Sequence, residues 1–185
     1  MTMRDLAVKR RSIRKFCPES IPAESLRELV EIARFYPSGG NLQPLKFAIV
    51  TDREKTDAMF ADIKWAMYLP EYVIAPQERP TAYVVFLRDE TLSKNCAYDL
   101  GAASTMLMLA ATERGIATCA IGNFSREKTV KLLGLPENLK PELVLAMGYP
   151  AQESFPVPME DTFRYTQDEA GNFLVPKRSL EEVIV

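Results

Sequence analysis

The chain has 185 residues, 47% of them hydrophobic and 26% charged, with 23 basic against 25 acidic side chains and a formal net charge of -2. That balance suits a single domain, 1–185, with a sizeable core, and gives no bulk electrostatic drive toward nucleic acid, so phosphate binding would need a local basic cluster. Histidine is absent, which removes Ser-His-Asp and Cys-His nucleophilic systems and most zinc chemistry; no catalytic side chain and no metal site is expected, and an enzyme here would take its reactive group from a cofactor.

The N-terminal run MTMRDLAVKRRS is charged and amphipathic, without the apolar core of a secretory signal, and the longest apolar segment, Leu100 to Ala111, is too short to cross a bilayer. A cytoplasmic protein with no membrane partner is the expectation. Met3 to Lys9 reads as a short helix running into the basic stretch Lys9, Arg10, Arg11, with Ser12 and Arg14 beyond. Cys17, Cys96 and Cys119 are far apart and odd in number, which supports neither a disulfide framework nor a zinc ribbon; they read as small buried hydrophobes.

Pro22 opens a second helix, whose Leu26, Leu29, Val30 and Ala33 fall at i, i+3, i+4 and i+7, one core-facing stripe. YPSGGNLQP, Tyr36 to Pro44, ends it, and Phe47 to Thr51 reads as a strand. Asp52 is the expected N-cap of a helix reaching roughly Trp65; Lys64 to Arg79, with its prolines and no period, reads as an irregular connection. Thr81 to Leu87 is a buried strand, Asn95 to about Arg114 a helix apolar nearly all round that stops at Gly115, and Ala117 to Ile121 a short strand. Ser125 caps a helix ending at Gly134, Leu143 to Met147 is the last core strand, and the tail from Ala151 has no strong period. Helices and strands without strict βαβ alternation predict an α+β fold.

Four stretches could carry chemistry. RRSIR, Arg10 to Arg14, puts three guanidiniums and a hydroxyl in five residues, forked donors that match phosphate oxygens. In PSGGN the glycines remove the Cβ wall, so backbone N–H groups with Ser38 and Asn41 could reach a ligand's polar edge. CAIGNF ends a strand at Gly122 and leaves free backbone groups for the edge of a planar heterocycle; Lys177 and Arg178 form a basic pair in the tail. Taken alone each also has an ordinary reading: a solvated helix end, a helix C-cap and turn, a strand-to-helix turn, a solubilising pair. Neither a P-loop nor a dinucleotide-binding glycine fingerprint is present.

In order and spacing, these stretches resemble the FMN-dependent nitroreductase family over almost the whole chain. RRSIRKF resembles the family's Arg-x-Ser-x-Arg/Lys opening; IPAESLRELVEIARFYPSGGNLQPLKFAIV the helix, Pro-Ser-x-x-Asn-x-Gln-Pro loop and strand; CAYDLGAASTMLMLAATERGIATCAIGNF the central helix and Ile-Gly turn; VKLLGLPENLKPELVLAMGYP the penultimate helix and last core strand. The resemblance implies a central, mostly antiparallel sheet flanked by helices, in an intertwined homodimer whose C-terminal tails, about 151–185, wrap the partner. It implies that Arg10, Arg11, Ser12, Lys177 and Arg178 bind the FMN phosphate and ribityl chain, that Arg14 lies near the pyrimidine edge, and that Ile121 and Gly122 offer backbone groups toward N5 and O4. Pro37, Ser38, Gly39, Asn41 and Gln43 would act on the flavin held chiefly by the other subunit. The implied activity is ping-pong hydride transfer from NADH or NADPH through flavin N5 to a nitroaromatic, quinone or similar small-molecule acceptor. Alternatives are a specialised flavin enzyme (a dehalogenase or dehydrogenase), a non-enzymatic FMN-binding protein of the same fold and, ranked last, a phosphate-binding module without flavin. Leu45 stands where many relatives carry Trp, and Lys64 to Arg79 departs from the pattern, which leaves the acceptor open.

Overall fold

A computed structural model describes residues 1–185. Its elements are α1 (Met3–Lys9), α2 (Ala23–Ala33), β1 (Leu45–Val50), α3 (Arg53–Asp62), β2 (Ala82–Asp89), α4 (Ala97–Glu113), β3 (Ala117–Ile121), α5 (Arg126–Leu133), β4 (Leu139–Gly148) and, in the tail, β5 (Ser154–Pro158), β6 (Thr166–Gln167) and β7 (Phe173–Lys177). The central sheet has the order β1-β2-β4-β3 and is antiparallel throughout. With five helices around it, the fold is the α+β one expected. No helix is long and apolar enough to cross a membrane.

Alternation along the two inner strands builds two cores. Ala82, Val84 and Phe86 of β2 with Leu145 and Met147 of β4 face α2 and α4; Tyr83, Val85 and Leu87 with Val144 and Ala146 face α3, Ile13, Phe16 and the inward side chains of β3. Both faces of the inner strands are therefore dry, which explains why β2 reads as a continuous apolar run and not as an alternating one.

Local signals set most helix ends. Thr2 and Asp5 form a reciprocal capping box on α1, Asp52 caps α3 and Ser125 caps α5, while Gly134 closes α5 with φ +62°. Two boundaries differ from expectation by three residues or more. The third helix stops at Asp62, three residues before Trp65, because Ile63 turns extended (φ -95°, ψ 134°) and buries its side chain in the second core. β4 begins at Leu139, four residues earlier than the apolar run suggests; a bulge opposite Phe86 and Leu87 absorbs Pro141 and Glu142.

The tail has more order than its composition suggests. β5 and β7 pair in parallel, β6 adds antiparallel to β7, and Phe173 is wholly buried. Cys96 and Cys119 are buried as expected; Cys17 is half-exposed, its thiol directed at the Pro150 carbonyl (3.4 Å).

Gly148, the last residue of β4, lies against the ring of Phe16: a Cβ there would stand 2.8 Å from Phe16 Cδ1 and 2.9 Å from its Cβ. Phe16 cannot yield, since it is fully buried and its backbone is tied to Glu78 and, through the neighbouring residue, to Tyr149. Gly148→Ala should therefore destabilise the chain by about 2 kcal/mol through overpacking, read as a lower midpoint in urea at unchanged m-value.

Candidate functional site

The basic stretch after α1 is extended, so successive side chains diverge. A parallel bridge joins Ser12 to Thr118 of β3, and the Ile13 N–H donates to the Thr118 carbonyl at 3.0 Å. Ile13 enters the core and Arg14 enters a cleft of about 530 Å³ beside the end of β3. The tail fastens this stretch: Gln152 Oε1 accepts from the backbone N–H of Arg14 (3.0 Å) and of Lys15 (2.8 Å) and from the Tyr72 hydroxyl (2.8 Å).

One wall of the cleft is Cys119 to Asn123; the other is Lys64 to Met67 with Pro70 and Tyr165. Its lining contains Arg14 and Lys64 and no carboxylate. The Arg14 guanidinium sits against two adjacent rings, 4.8 Å from the Tyr165 centroid and 4.6 Å from that of Phe173, a pairing that orients the cation without neutralising it. Gly122 is exposed, and a Cβ there would meet nothing within 4 Å, so its missing side chain leaves the wall open to an incoming planar group.

Arg10, Arg11 and Lys177 lie close together at the strand's start. Burial, then Arg11 and Arg10, hold the Lys177 ammonium below its ordinary pKa, and burial with Arg10 does the same to Arg11. None of the three has a carboxylate within ion-pair distance: the Arg11 guanidinium instead donates to the carbonyls of Ala7 (2.6 Å) and Val8 (3.0 Å) at the end of α1. Three cations gathered without an anion are held against their own repulsion, the arrangement a phosphate would relieve. Arg178 is differently placed, facing Glu182 at 3.4 Å in the chain's last turn.

Cys119 lines the cleft, but burial pushes its thiol up, against the opposing pull of Arg14, Ser12 and Arg10, and it is no nucleophile at neutral pH. Tyr72 is pushed up to about 12 by burial and stays protonated as the donor to Gln152.

The Pro37–Gln43 loop is elsewhere. It leads into β1, one edge of the sheet, whereas Ile121 and Gly122 end β3, the other edge; three strand spacings separate these edges, roughly 14 Å at ~4.8 Å each. No loop residue lines the Arg14 cleft. The loop packs on the start of α4, where the Ser38 hydroxyl donates to Asp99 (2.5 Å) and accepts from the Gln43 N–H (2.9 Å), and the Tyr36 hydroxyl accepts from the Leu45 N–H (3.2 Å). These bonds hold Asn41 and Gln43 at φ +56° and +48°, a left-handed strain that non-glycine residues adopt only when the surroundings dictate it.

Gln152, Tyr72, Tyr165, Phe173 and the Lys64–Met67 wall escaped the sequence reading. Their partners around Arg14 and Gln152 are 80 to 159 residues away in the chain, or they lie in segments without a period, and the one available signal was the aromatic spacing of Tyr68, Tyr72, Phe163, Tyr165 and Phe173.

An antiparallel sheet wrapped by helices, with a cationic cleft at one edge, defines a small α+β chain. The nitroreductase family profile matches residues 7–149, and the protein belongs to that family of oxidoreductases. It is 33% identical over 162 residues to an Archaeoglobus fulgidus protein named as a candidate NADH dehydrogenase/NAD(P)H nitroreductase, with 83% of this chain and 88% of that one covered. It is 27% identical over 162 residues to the iodotyrosine deiodinase of Thermotoga neapolitana, covering 79% and 87%. The crystal structure of a candidate nitroreductase from Desulfovibrio desulfuricans in complex with FMN superposes with a TM-score of 0.65 at 24% identity, covering 80% of this chain and 86% of that one.

Proposed function

We propose that the cleft holds FMN and that the protein is an FMN-dependent oxidoreductase taking electrons from NADH or NADPH and passing them to a small aromatic or quinone acceptor. The carrying observation is the trio Arg10, Arg11 and Lys177, none of them ion-paired, gathered where the chain runs on to Arg14 and its acid-free cleft ending at Gly122. The trio would hold the phosphate, with Ser12 toward the ribityl chain; Arg14 would face the pyrimidine edge, where a fixed cation favours negative charge. The backbone of Ile121 and Gly122 would meet the ring's polar edge. FMN when bound would supply the hydride and electron transfer; the chain would position the rings, and burial keeps Cys119 and Tyr72 protonated, so neither is a thiolate or phenolate base there. Arg178, turned toward Glu182, would reach the phosphate only after leaving that partner.

The roughly 14 Å between the loop and its own chain's cleft supports the homodimer reading, in which Pro37 to Gln43 serve the partner's flavin. Tyr98, 92% exposed beside that loop on a helix apolar nearly all round, supplies a face for it. Exchange of the C-terminal tail, about 151–185, between subunits belongs to the same proposal, as does a cytoplasmic location.

The test is the absorbance spectrum of protein saturated with FMN, then its anaerobic bleaching by NADH or NADPH. A flavin band that bleaches is expected; no bound flavin would refute the reading, and a band reduced by dithionite alone would leave a binding protein. The likeness to an iodotyrosine deiodinase favours a dehalogenating enzyme as the second reading, separated by turnover of halotyrosines against nitroaromatics.

Gly122→Val checks the ring's place. The glycine's φ is ordinary and its surroundings are empty, so stability should change by no more than about 0.5 kcal/mol. FMN affinity, read by fluorescence titration, should fall by at least about tenfold because the isopropyl group occupies the ring's approach, equivalent to ~1.4 kcal/mol.

A further inference from the structure

We propose that the cleft selects acceptors by charge, preferring planar aromatic molecules that bear a carboxylate or similar anionic group over neutral ones. The inference rests on the flavin reading above and adds the substrate class to it. It comes from the wall opposite β3, the segment that follows α3.

That wall is built, not loose. Trp65 stacks on Phe60 (5.5 Å between centroids, 28° between planes), and Ala66 is buried at φ +48°, its carbonyl accepting the Leu69 N–H at 2.7 Å. The Tyr68 N–H faces the Tyr165 hydroxyl at 3.4 Å, and the Tyr68 ring lies 5.0 Å from Tyr165 and 6.1 Å from Phe163. The post-helical segment and the tail thus clamp one another through aromatic rings, and the cleft between them presents the sides of Trp65 and Tyr165 to a flat ligand.

Charge on this wall has one sign. Lys64 is exposed at the cleft and has no carboxylate within 4.0 Å; Arg14 lies across from it on its two rings, and Arg164 caps the Tyr68 ring at 5.6 Å, also without an acidic partner. The chain as a whole carries -2, so this local excess is not a by-product of composition. Arg14 is spoken for by its rings and by the proposed pyrimidine edge, which leaves Lys64 as the cation free to meet an acceptor's own anionic group.

The experiment compares 4-nitrobenzoate with the neutral 4-nitrobenzamide on FMN-loaded protein at low ionic strength. A kcat/KM ratio of about fivefold favouring the benzoate is expected, the size of one partly exposed ion pair, shrinking with added salt. A second readout needs no turnover: benzoate and benzamide are titrated into the oxidised holoprotein and the perturbation of the flavin band followed, with the same preference expected in Kd. In Lys64→Gln both ratios should fall toward unity. Equal constants for the two ligands, or ratios unchanged in Lys64→Gln, would overturn the proposal. So would a loss of FMN affinity in Lys64→Gln, which would assign the lysine to the cofactor. A wild-type chain that never shows a flavin spectrum overturns the flavin reading and this one with it, and that outcome is distinct from a flavin-loaded protein blind to charge.

Discussion

Charge reversal at Arg14 should lower FMN affinity on the order of a hundredfold, about 3 kcal/mol, because it removes a charged donor and puts a carboxylate in its place. Arg14 is held at three contacts: its backbone N–H by Gln152, its guanidinium by the adjacent rings of Tyr165 and Phe173. A cation so constrained makes its electrostatic contribution without reorganising when a ligand arrives, which is the condition for a large effect. The substitution also forfeits both ring contacts, each about 0.5–1 kcal/mol, so urea unfolding of the cofactor-free chain has to be measured beside the fluorescence titration. Arg14→Lys separates the two contributions, since it keeps the charge and loses the planar stacking. If Arg14→Glu binds FMN as the unchanged protein does, Arg14 does not face the cofactor and the orientation of the ring in the cleft has to be reversed or abandoned.

Elements with a local cause were legible in the sequence, and those with a distant one were not. Asp52, Ser125 and Gly134 act within three or four residues, and the helix ends they set agree with the structure. The end of α3 depends on Ile63 finding the second core, and the start of β4 on a bulge that admits Pro141; neither is encoded nearby. The site divides in the same way. RRSIR and CAIGNF announce themselves by residue type, and the structure sets Ser12 against Thr118 and Arg14 beside Gly122. Nothing in QES of the tail announces that Gln152 would pin Arg14 and Lys15 from 138 and 137 positions away. For Arg11 and Arg178 the sequence shows two cations, and the structure adds their present partners, the carbonyls ending α1 and Glu182.

Mixing two inactive variants should restore activity if the cleft and the loop that serve one flavin come from different subunits. Consider Arg14→Glu in one chain and a loop variant, Asn41→Ala with Ser38→Ala, in the other. The loop variant loses the Ser38 bonds to Asp99 and Gln43 that hold Asn41 and Gln43 in left-handed conformations, so the loop relaxes away from its working shape. In a mixed dimer one site combines both defects, while the other combines the intact cleft of the loop variant with the intact loop of the Arg14 variant. Random reassortment of a two-fold dimer after unfolding and refolding at equal concentration then recovers about a quarter of the wild-type sites. The measurement is NADH-dependent reduction of an acceptor by the mixture against each variant refolded alone. Should cleft and loop serve the flavin within one chain, every chain in the mixture carries a defect and no activity returns. The separation of the loop's strand from its own chain's cleft, across the full width of the four-stranded sheet, favours recovery, because that span is set by hydrogen-bonded strand pairing.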